Sequence, residues 1–242
     1  NGIMDLWVRE ARLFKYGSGC ISEKAFIPLV GRGLVRIGDL FKEVSKQRSI
    51  VDFDGKGKYV AVGDLHLRTL SLDRQTGEII EDPIDFVWSY DVRQEDKLTV
   101  CFDTGASATV SAWHPFMVWN GSDIVERRAD QLTDGDAVIG PTSTVSKRYG
   151  LHPIVNRSIG IRRPTHESVA TSTRLSVAIA ERTTTDQTDF KRIDRIADGI
   201  AFVTGVTACA EDVPFNDLTT RRTNTYLAGE NGLVMILSLI HI

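Results

Sequence analysis

The sequence predicts an all-β domain preceded by a short helical segment. From Cys20 onward, short β-rich stretches alternate with turns rich in Gly and Asp, a pattern typical of antiparallel strands and not of βαβ units. Residues 1–16 instead carry apolar side chains at roughly helical spacing, and this pattern stops at Gly17 and Gly19. We therefore expect a boundary between Gly19 and Cys20.

The composition is that of an ordinary globular protein. The 242 residues are 42 % hydrophobic and 25 % charged, enough for one sizeable domain or two small ones. The formal net charge of −3 gives no electrostatic reason to expect binding to nucleic acid or to an anionic membrane. The sequence has neither a bilayer-spanning apolar run nor a signal peptide, so we expect a cytoplasmic protein. Three widely spaced cysteines predict reduced thiols, and the start at Asn1 predicts a fragment of a longer chain.

Strands are predicted where apolar and β-branched residues lie between turn signals. The predicted strands cover residues 25–30, 34–37, 58–62, 66–72, 79–88, 97–102, 108–119, 200–210, 217–220 and 225–227. Three turns that contain Gly, residues 31–33, 73–77 and 103–105, join neighbouring strands and indicate hairpins. A fourth turn, residues 229–232, follows the last predicted strand.

Four stretches between the strands have less regular patterns. Residues 38–40 are predicted to close the first hairpin as a turn, and the polar residues 42–57 predict a short helix and a loop. Residues 128–141 predict a helical turn followed by one more strand. Residues 142–195 are rich in Ser, Thr and Arg and predict a flexible linker or insertion, in which residues 168–182 have helical character.

Cys20 is the first candidate for chemistry. A cysteine thiolate can attack a carbonyl group, and the nearest one belongs to Gly19, the residue before it. This attack converts an amide into a thioester, which is uphill unless the peptide is strained or the leaving nitrogen is protonated. The reaction therefore needs a proton donor. The alternative for a lone cysteine is a buried small hydrophobic residue without chemistry.

His114 is the natural proton donor. An imidazole can hydrogen-bond the nitrogen of the scissile peptide, weaken its resonance and later protonate it. His114 follows Ser111 by three positions in the predicted strand 108–119, and Pro115 then removes a backbone donor from the ladder. The alternative is an ordinary core or surface histidine.

The chain from Cys20 onward resembles an intein, a self-splicing element with the Hint fold that hedgehog autoprocessing domains share. The stretches similar to intein splicing blocks are, in order, Cys20 with residues 33–40, residues 111–116, residues 129–136, and residues 216–228 with 231–234. The resemblance implies a mostly β, horseshoe-like Hint domain over residues 20–236 that brings Cys20, His114 and Asp217 together. Residues 142–195 are too short for a homing endonuclease, so we expect a mini-intein with a linker or an endonuclease remnant there.

The resemblance also implies the roles of the site residues. Cys20 makes an N-to-S acyl shift, His114 labilises the bond, and Ser111 positions the tetrahedral intermediate. Asp217 acts at the branch step, where a carboxyl group donates and accepts a proton. The alternative for Asp217 is a turn residue that caps its own backbone. The scissile bond joins Gly19 to Cys20, and Gly19 has no side chain to hinder a distorted peptide.

Residues 1–19 resemble a stretch of adenosylcobalamin-dependent, class II ribonucleotide reductase, and we expect them to be the N-extein of that host. The resemblance implies that the host uses adenosylcobalamin for deoxyribonucleotide synthesis, whereas splicing needs no cofactor and no metal. The chain's own extein flanks are then its partners, and we expect a monomer that binds neither nucleic acid nor membrane. The alternative functions are a ribonucleotide reductase fragment and a non-catalytic β module.

The C-terminal end departs from the intein pattern, which finishes with His-Asn followed by Cys, Ser or Thr. Residues 237–242 predict a foreign tail, in which His241 could mimic the penultimate histidine but Ile242 has no amide to cyclise. Asn224 stands where many inteins carry a histidine. The sequence therefore predicts N-terminal chemistry alone: a single-turnover thioester formation followed by cleavage after Gly19.

Overall fold

The computed structural model describes residues 19–53, 55, 57–151 and 197–238. Within these ranges the chain forms sixteen β-strands and two α-helices, so the predicted all-β class is confirmed. The strands are β1 (Ile21–Ser22), β2 (Phe26–Leu29), β3 (Gly33–Arg36), β4 (Val51–Phe53), β5 (Gly57–Ala61), β6 (Arg68–Leu72), β7 (Ile79–Tyr90), β8 (Lys97–Phe102), β9 (Ser107–Ser111), β10 (Pro115–Trp119), β11 (Ile124–Arg128), β12 (Ala137–Ile139), β13 (Ile200–Ala208), β14 (Phe215–Thr220), β15 (Thr225–Ala228) and β16 (Val234–Leu237). The helices are α1 (Ile37–Ser45) and α2 (Ser143–Tyr149). The helical stretches predicted over residues 1–16 and 168–182 lie outside the described residues.

The described strands pair antiparallel along one long path. Its order is β15, β16, β10, β12, β13, β8, β9, β1, β14, β7, β6, β2 and β3, with β11 on β10, β5 on β7 and β4 on β5. The two-residue strand β1 lies in the middle of this path, where Ile21 is opposite Val110 on one side and Asn216 on the other. One strand from the middle of the described chain and one from its C-terminal part therefore enclose the residue that follows Cys20.

A continuous apolar core fixes the position of β1. Ile21, Val87, Val110 and Leu218 are fully buried members of the same cluster and come from β1, β7, β9 and β14. Burying an aliphatic side chain of this size is worth about 1.5–3 kcal/mol relative to exposing it. Packing on four adjacent strands therefore determines where Cys20, the residue before β1, is placed.

The first helix corrects the prediction for residues 38–57. The expected turn at residues 38–40 lies inside α1, which begins at Ile37. Ile37, Leu40 and Val44 are buried at helical spacing. They form the apolar face of a helix that directly follows the hairpin of β2 and β3. Gly38 allows the close contact with the neighbouring chain, because a Cβ there would lie 2.6 Å from the Cβ of Glu23. The helix thus starts earlier than the polar composition of residues 42–57 indicates.

The predicted single strand over residues 108–119 is wrong, since the structure divides it into β9 and β10. Between them, the His114 N–H donates to the Ser111 carbonyl at 2.9 Å and closes a tight turn. Pro115 has no N–H to donate and begins β10. His114 therefore lies in a turn at the end of β9 and not on a strand.

The three predicted hairpins are confirmed, with β2 paired to β3, β6 to β7, and β8 to β9. Their turns use Gly31, Gly77 and Gly105 at positive φ, where a side chain would be strained. The prediction missed β1, β4, β11 and β16. Three of the five residues of β11 are charged, so the sequence has no apolar run that would mark this strand.

The last described residues are part of the fold. Leu237, the first residue of the predicted foreign tail, pairs within the ladder of β15 and β16. The buried Ser238 hydroxyl accepts from the Thr220 N–H and donates to the Leu218 carbonyl, both at 2.8 Å. Residues 239–242 lie outside the described residues, and the foreign origin of the tail stays a prediction.

Helix α2 occupies most of the described part of the predicted linker. Thr142 caps it by accepting the Val145 N–H at 3.3 Å, and Gly150 ends it at a φ of 63°. The remainder of residues 142–195 lies outside the described residues, where the linker stays a prediction. Both described helices are short, and none in the described ranges is long and apolar enough to cross a membrane.

Candidate active site

The Gly19–Cys20 junction lies directly before β1, between β9 and β14. Cys20 is only 2 % exposed, and Ser111 at the end of β9 is fully buried. The Ser111 backbone N–H donates to the Cys20 carbonyl at 2.9 Å. In return the Cys20 N–H donates to Ser111 Oγ at 3.1 Å. Ser111 therefore holds the nitrogen of the predicted scissile bond.

His114 lies on the other side of that bond, against Gly19. A Cβ on Gly19 would overlap the Cα, Cβ and Nδ1 atoms of His114, so this contact requires a glycine. The sequence predicts a hydrogen bond between His114 and the scissile nitrogen. In the structure that nitrogen is hydrogen-bonded to Ser111, and His114 lies beside the acyl residue instead.

The imidazole of His114 is neutral near neutral pH. Its full burial lowers its pKa from the ordinary 6.5 to about 3, and a hydrogen bond with the Gly19 backbone opposes this by raising the pKa. Because only an acceptor favours the imidazolium, this backbone group is the Gly19 carbonyl. Neither ring nitrogen completes a well-formed hydrogen bond with the described residues. A neutral ring with an available nitrogen is therefore placed next to the scissile peptide.

Asp217 lies inside β14 and is fully buried, so the turn position of the alternative is wrong, although the carboxyl group does bond to its own backbone as that alternative expects. Its Oδ1 atom accepts hydrogen bonds from the Tyr226 hydroxyl and from the Leu218 N–H, both at 2.7 Å. These bonds fix the orientation of the carboxyl group. Strand β14 lies between β1 and β7, and in its ladder with β7 Asp217 is opposite Trp88.

The thiol of Cys20 is held in its protonated form. Burial raises its pKa first and the charge of Asp217 raises it further, whereas the hydrogen bond from Ser111 and the charge of Lys97 lower it. The net direction is strongly upward, so the thiol keeps its proton near neutral pH. The structure thus brings Cys20, Ser111 and Asp217 into one electrostatic neighbourhood.

Two residues of this neighbourhood, Tyr226 and Lys97, are not predicted from the sequence. Tyr226 is fully buried, and burial together with the charge of Asp217 raises the pKa of its phenol well above 10. It lies in the stretch 216–228 that resembles a splicing block, but an aromatic residue in a strand predicts core packing and no chemistry. Lys97 begins a predicted strand, a position where lysine is ordinarily exposed, and the structure buries it.

The described residues hold no group of three His, Cys, Asp or Glu side chains arranged as a metal ion requires. The three cysteines, Cys20, Cys101 and Cys209, are free thiols. Splicing without metal or cofactor stays a prediction.

An antiparallel β domain that buries a Gly-Cys bond against a histidine has the build of a self-processing domain. The family model for the intein splicing domain matches residues 27–236. The chain belongs to the intein splicing domain family. It therefore carries a protein-splicing domain, as the resemblance of its sequence blocks implies.

Solved intein structures share the fold. The TvoVMA intein aligns with a TM-score of 0.61 over 90 % of this chain and 98 % of its own, at 14 % identity. The transcription factor IIB Mvu mini-intein gives 0.60 over 89 % and 99 %, at 14 % identity. The KlbA intein precursor from Methanococcus jannaschii gives 0.61 over 94 % and 97 %, at 16 % identity. At these identities the likeness concerns the fold alone, and it confirms the predicted Hint fold.

A curated relative matches part of the chain. Elongation factor 2 of Methanopyrus kandleri is 31 % identical over 122 residues, which are 50 % of this chain and 9 % of that protein. The chain thus spans less than a tenth of the length of this relative.

Proposed function

We propose that the chain carries out the first half of protein splicing on itself, an N-to-S acyl shift at the Gly19–Cys20 bond. One observation carries the proposal: the scissile bond is held from both sides, its nitrogen by Ser111 Oγ at 3.1 Å and its acyl residue against His114. An oriented nucleophile and acyl group react as if at very high effective concentration.

The atoms of the step balance without any co-reactant. The Cys20 Sγ atom bonds to the Gly19 carbonyl carbon, the bond between that carbon and the Cys20 nitrogen breaks, and the nitrogen leaves as an amine. The proton that the thiol loses ends on this amine. The product is a thioester between Gly19 and the Cys20 side chain.

His114 has the protonation state that this transfer needs at its start. The thiol holds its proton because its pKa is raised, and the imidazole is neutral because burial lowers its pKa to about 3. The neutral His114 is then the acceptor of the thiol proton, and the low pKa of the ring favours the second transfer, from the imidazolium to the leaving nitrogen. The sequence alone predicts the opposite order, with His114 acting first as a proton donor.

Ser111 prepares the leaving nitrogen. Its hydroxyl accepts the Cys20 N–H before the bond breaks, and the same hydroxyl remains in place as a partner for the amine that forms. A partner that is already oriented costs no reorganisation during the reaction. Asp217, oriented by Tyr226, is the proposed proton carrier of a later branch step.

The proposed chemistry of these residues stops at the thioester. Water or an added thiol then cleaves the chain after Gly19. No residue of β16, the last described strand, carries a side-chain amide that could cyclise.

We further propose that residues 1–19 belong to an adenosylcobalamin-dependent ribonucleotide reductase and that the splicing partners are the chain's own flanks. The support is the resemblance of residues 1–19. We propose a cytoplasmic monomer on the composition alone. The host is tested by recovering the longer gene: reductase sequence resuming after the insertion supports it, and an unrelated flank contradicts it.

Intact mass tests the acyl shift. The full chain is incubated with a small thiol near neutral pH beside Cys20→Ala and His114→Ala. We expect residues 1–19 to be lost from the parent chain only. An unchanged mass of the parent chain contradicts the proposal and favours the non-catalytic β module.

A further inference from the structure

Lys97 is a buried cation whose charge the steps above do not use. It begins β8 and is 2 % exposed. Its Nζ atom donates to Asp212 Oδ1 at 2.9 Å and to the Val213 carbonyl at 3.3 Å, and it lies 5.5 Å from the centre of the Phe215 ring. A buried ammonium group costs free energy unless it is paired, and these contacts offset that cost.

The register of the sheet places Lys97 across from the residue that holds the scissile nitrogen. Lys97 is directly opposite Ser111 in the ladder of β8 and β9. Directly opposite residues point to the same face of a sheet, with Cβ atoms about 4.5–5.5 Å apart. Ser111 in turn exchanges two hydrogen bonds with Cys20. The strand that carries Lys97 is therefore two strands from β1, and β9 with Ser111 lies between them.

Lys97 is the cation among the groups that act on the Cys20 thiol. From β14 the thiol meets the carboxyl group of Asp217, and from β15 the phenol of Tyr226. From β9 it meets the Ser111 hydroxyl, and the neutral His114 ring of the following turn lies beside Gly19, the residue before Cys20. In this apolar setting Asp217 opposes a negative charge on sulfur, and Lys97 favours it.

We propose that Lys97 is a positioning residue for the acyl shift, whose buried ammonium group stabilises the negative charge that develops on Cys20 Sγ as the thiol loses its proton. The proposal stands on the register opposite Ser111 and on the burial of the cation. The charge effect of Lys97 on the thiol agrees with it, since it lowers the pKa that burial and Asp217 raise. This inference rests on the acyl shift proposed above.

The competing explanation is mechanical. Lys97 could tie residues 209–214 to β8 through Asp212, whose side chain is 98 % exposed. In that case breaking the ion pair from either end gives the same result. A charge effect separates the two ends: Lys97→Met removes the cation, whereas Asp212→Asn leaves the cation and removes the anion that offsets it.

The experiment measures how fast iodoacetamide alkylates Cys20 across a pH series, on full-length molecules that retain residues 1–19. The exposed Cys101 of the same molecule is the internal control, because its alkylation rate depends on the reagent concentration and on the pH. Peptide mass mapping gives the ratio of the two rates for the parent chain, Lys97→Met, Lys97→Arg and Asp212→Asn. Thermal unfolding of each variant shows whether it is folded.

We expect Lys97→Met to slow Cys20 relative to Cys101 by about tenfold, which corresponds to one unit of thiol pKa. Lys97→Arg keeps the charge and should restore most of the rate. Asp212→Asn should leave the rate unchanged or raise it. A Lys97→Met rate equal to or above that of the parent overturns the proposal, and so does an Asp212→Asn rate that falls.

If Lys97→Met does not fold, the alkylation rate of Asp212→Asn tests the proposal: an unchanged or higher rate supports it, and a lower rate overturns it. Alkylation does not require the acyl shift, so the two proposals fail separately. Thiol-induced loss of residues 1–19, measured on the same samples, reports the acyl shift. Where that loss occurs, Lys97→Met should slow it in the same proportion as the alkylation of Cys20.

Discussion

The backbone of Gly19 lies directly against the imidazole of His114, and no side chain fits between them. The contact sets the acyl group of the scissile bond beside a neutral ring whose nitrogens are available. Together with the bond from the Cys20 N–H to Ser111 Oγ, it defines the geometry that the acyl shift requires.

Gly19→Ala should slow thiol-induced cleavage by about a hundredfold, because the new methyl group displaces the acyl carbon from the ring and from the thiol. The measurement is the rate of loss of residues 1–19 by mass. Gly205→Ala is the matched control, since a Cβ there meets nothing within 4 Å. A Gly19→Ala rate equal to the control would show that the close contact has no part in the chemistry.

Ser111→Ala should slow the same cleavage by about tenfold or more, equivalent to at least 1.4 kcal/mol of barrier, because the leaving nitrogen loses its oriented partner. Ser107→Ala removes another hydroxyl from the same strand, one that accepts from Asn231 Nδ2 at 3.0 Å. We expect that control to cleave at the parent rate. Equal rates for the two variants would assign Ser111 a packing role only.

Tyr226→Phe should destabilise the fold by about 1.5–3 kcal/mol, because it removes a buried hydrogen bond to a carboxyl group. Urea unfolding measures the change. Tyr149→Phe is the control, since its hydroxyl donates to Glu81 at 2.9 Å in a partly exposed site and its loss should cost less. A smaller effect for Tyr226 than for Tyr149 would contradict the assigned pairing with Asp217.

The buried His114 predicts a loss of stability in acid. Its pKa falls from 6.5 to about 3 on folding, so between these values the unfolded chain binds a proton that the folded chain does not. The free energy of unfolding that depends on the neutral His114 is fully present above the pKa of the unfolded state. It declines with falling pH by up to about 1.4 kcal/mol per pH unit. His114→Gln should therefore lose stability less steeply than the parent in urea unfolding across this window. Parallel slopes would show that His114 is not buried as a neutral ring.

The sequence predicted the parts of this fold that depend on local chemistry. The hairpin turns at Gly31, Gly77 and Gly105 need positive φ, which glycine signals directly. The start of α1 at Ile37 was missed because a short run of apolar residues is compatible with a strand or a helix, and only tertiary packing distinguishes the two. The strand β11 was missed because its charged residues pair with β10 without forming an apolar run.

The residues of the site were predicted only in part. The positions of Cys20, Ser111 and His114 follow from the chemistry expected of a Gly-Cys junction and from the resemblance to splicing blocks. The hydrogen-bond partner of the scissile nitrogen could not be predicted, because the turn between β9 and β10 has no clear sequence signal. This turn places His114 outside the strand, and Ser111 hydrogen-bonds Cys20. The burial of Lys97 depends on register and on a distant loop, neither of which leaves a local signal.

The most direct test of the acyl shift is the chemical form of the released segment. The full chain is incubated with mercaptoethanesulfonate near neutral pH, and the fragment of residues 1–19 is identified by mass, beside Cys20→Ala. The proposed mechanism predicts a fragment whose Gly19 carboxyl end carries the added thiol as a thioester, and no such fragment from Cys20→Ala. Release of the same thioester from Cys20→Ala, or no release from the parent chain, would contradict it.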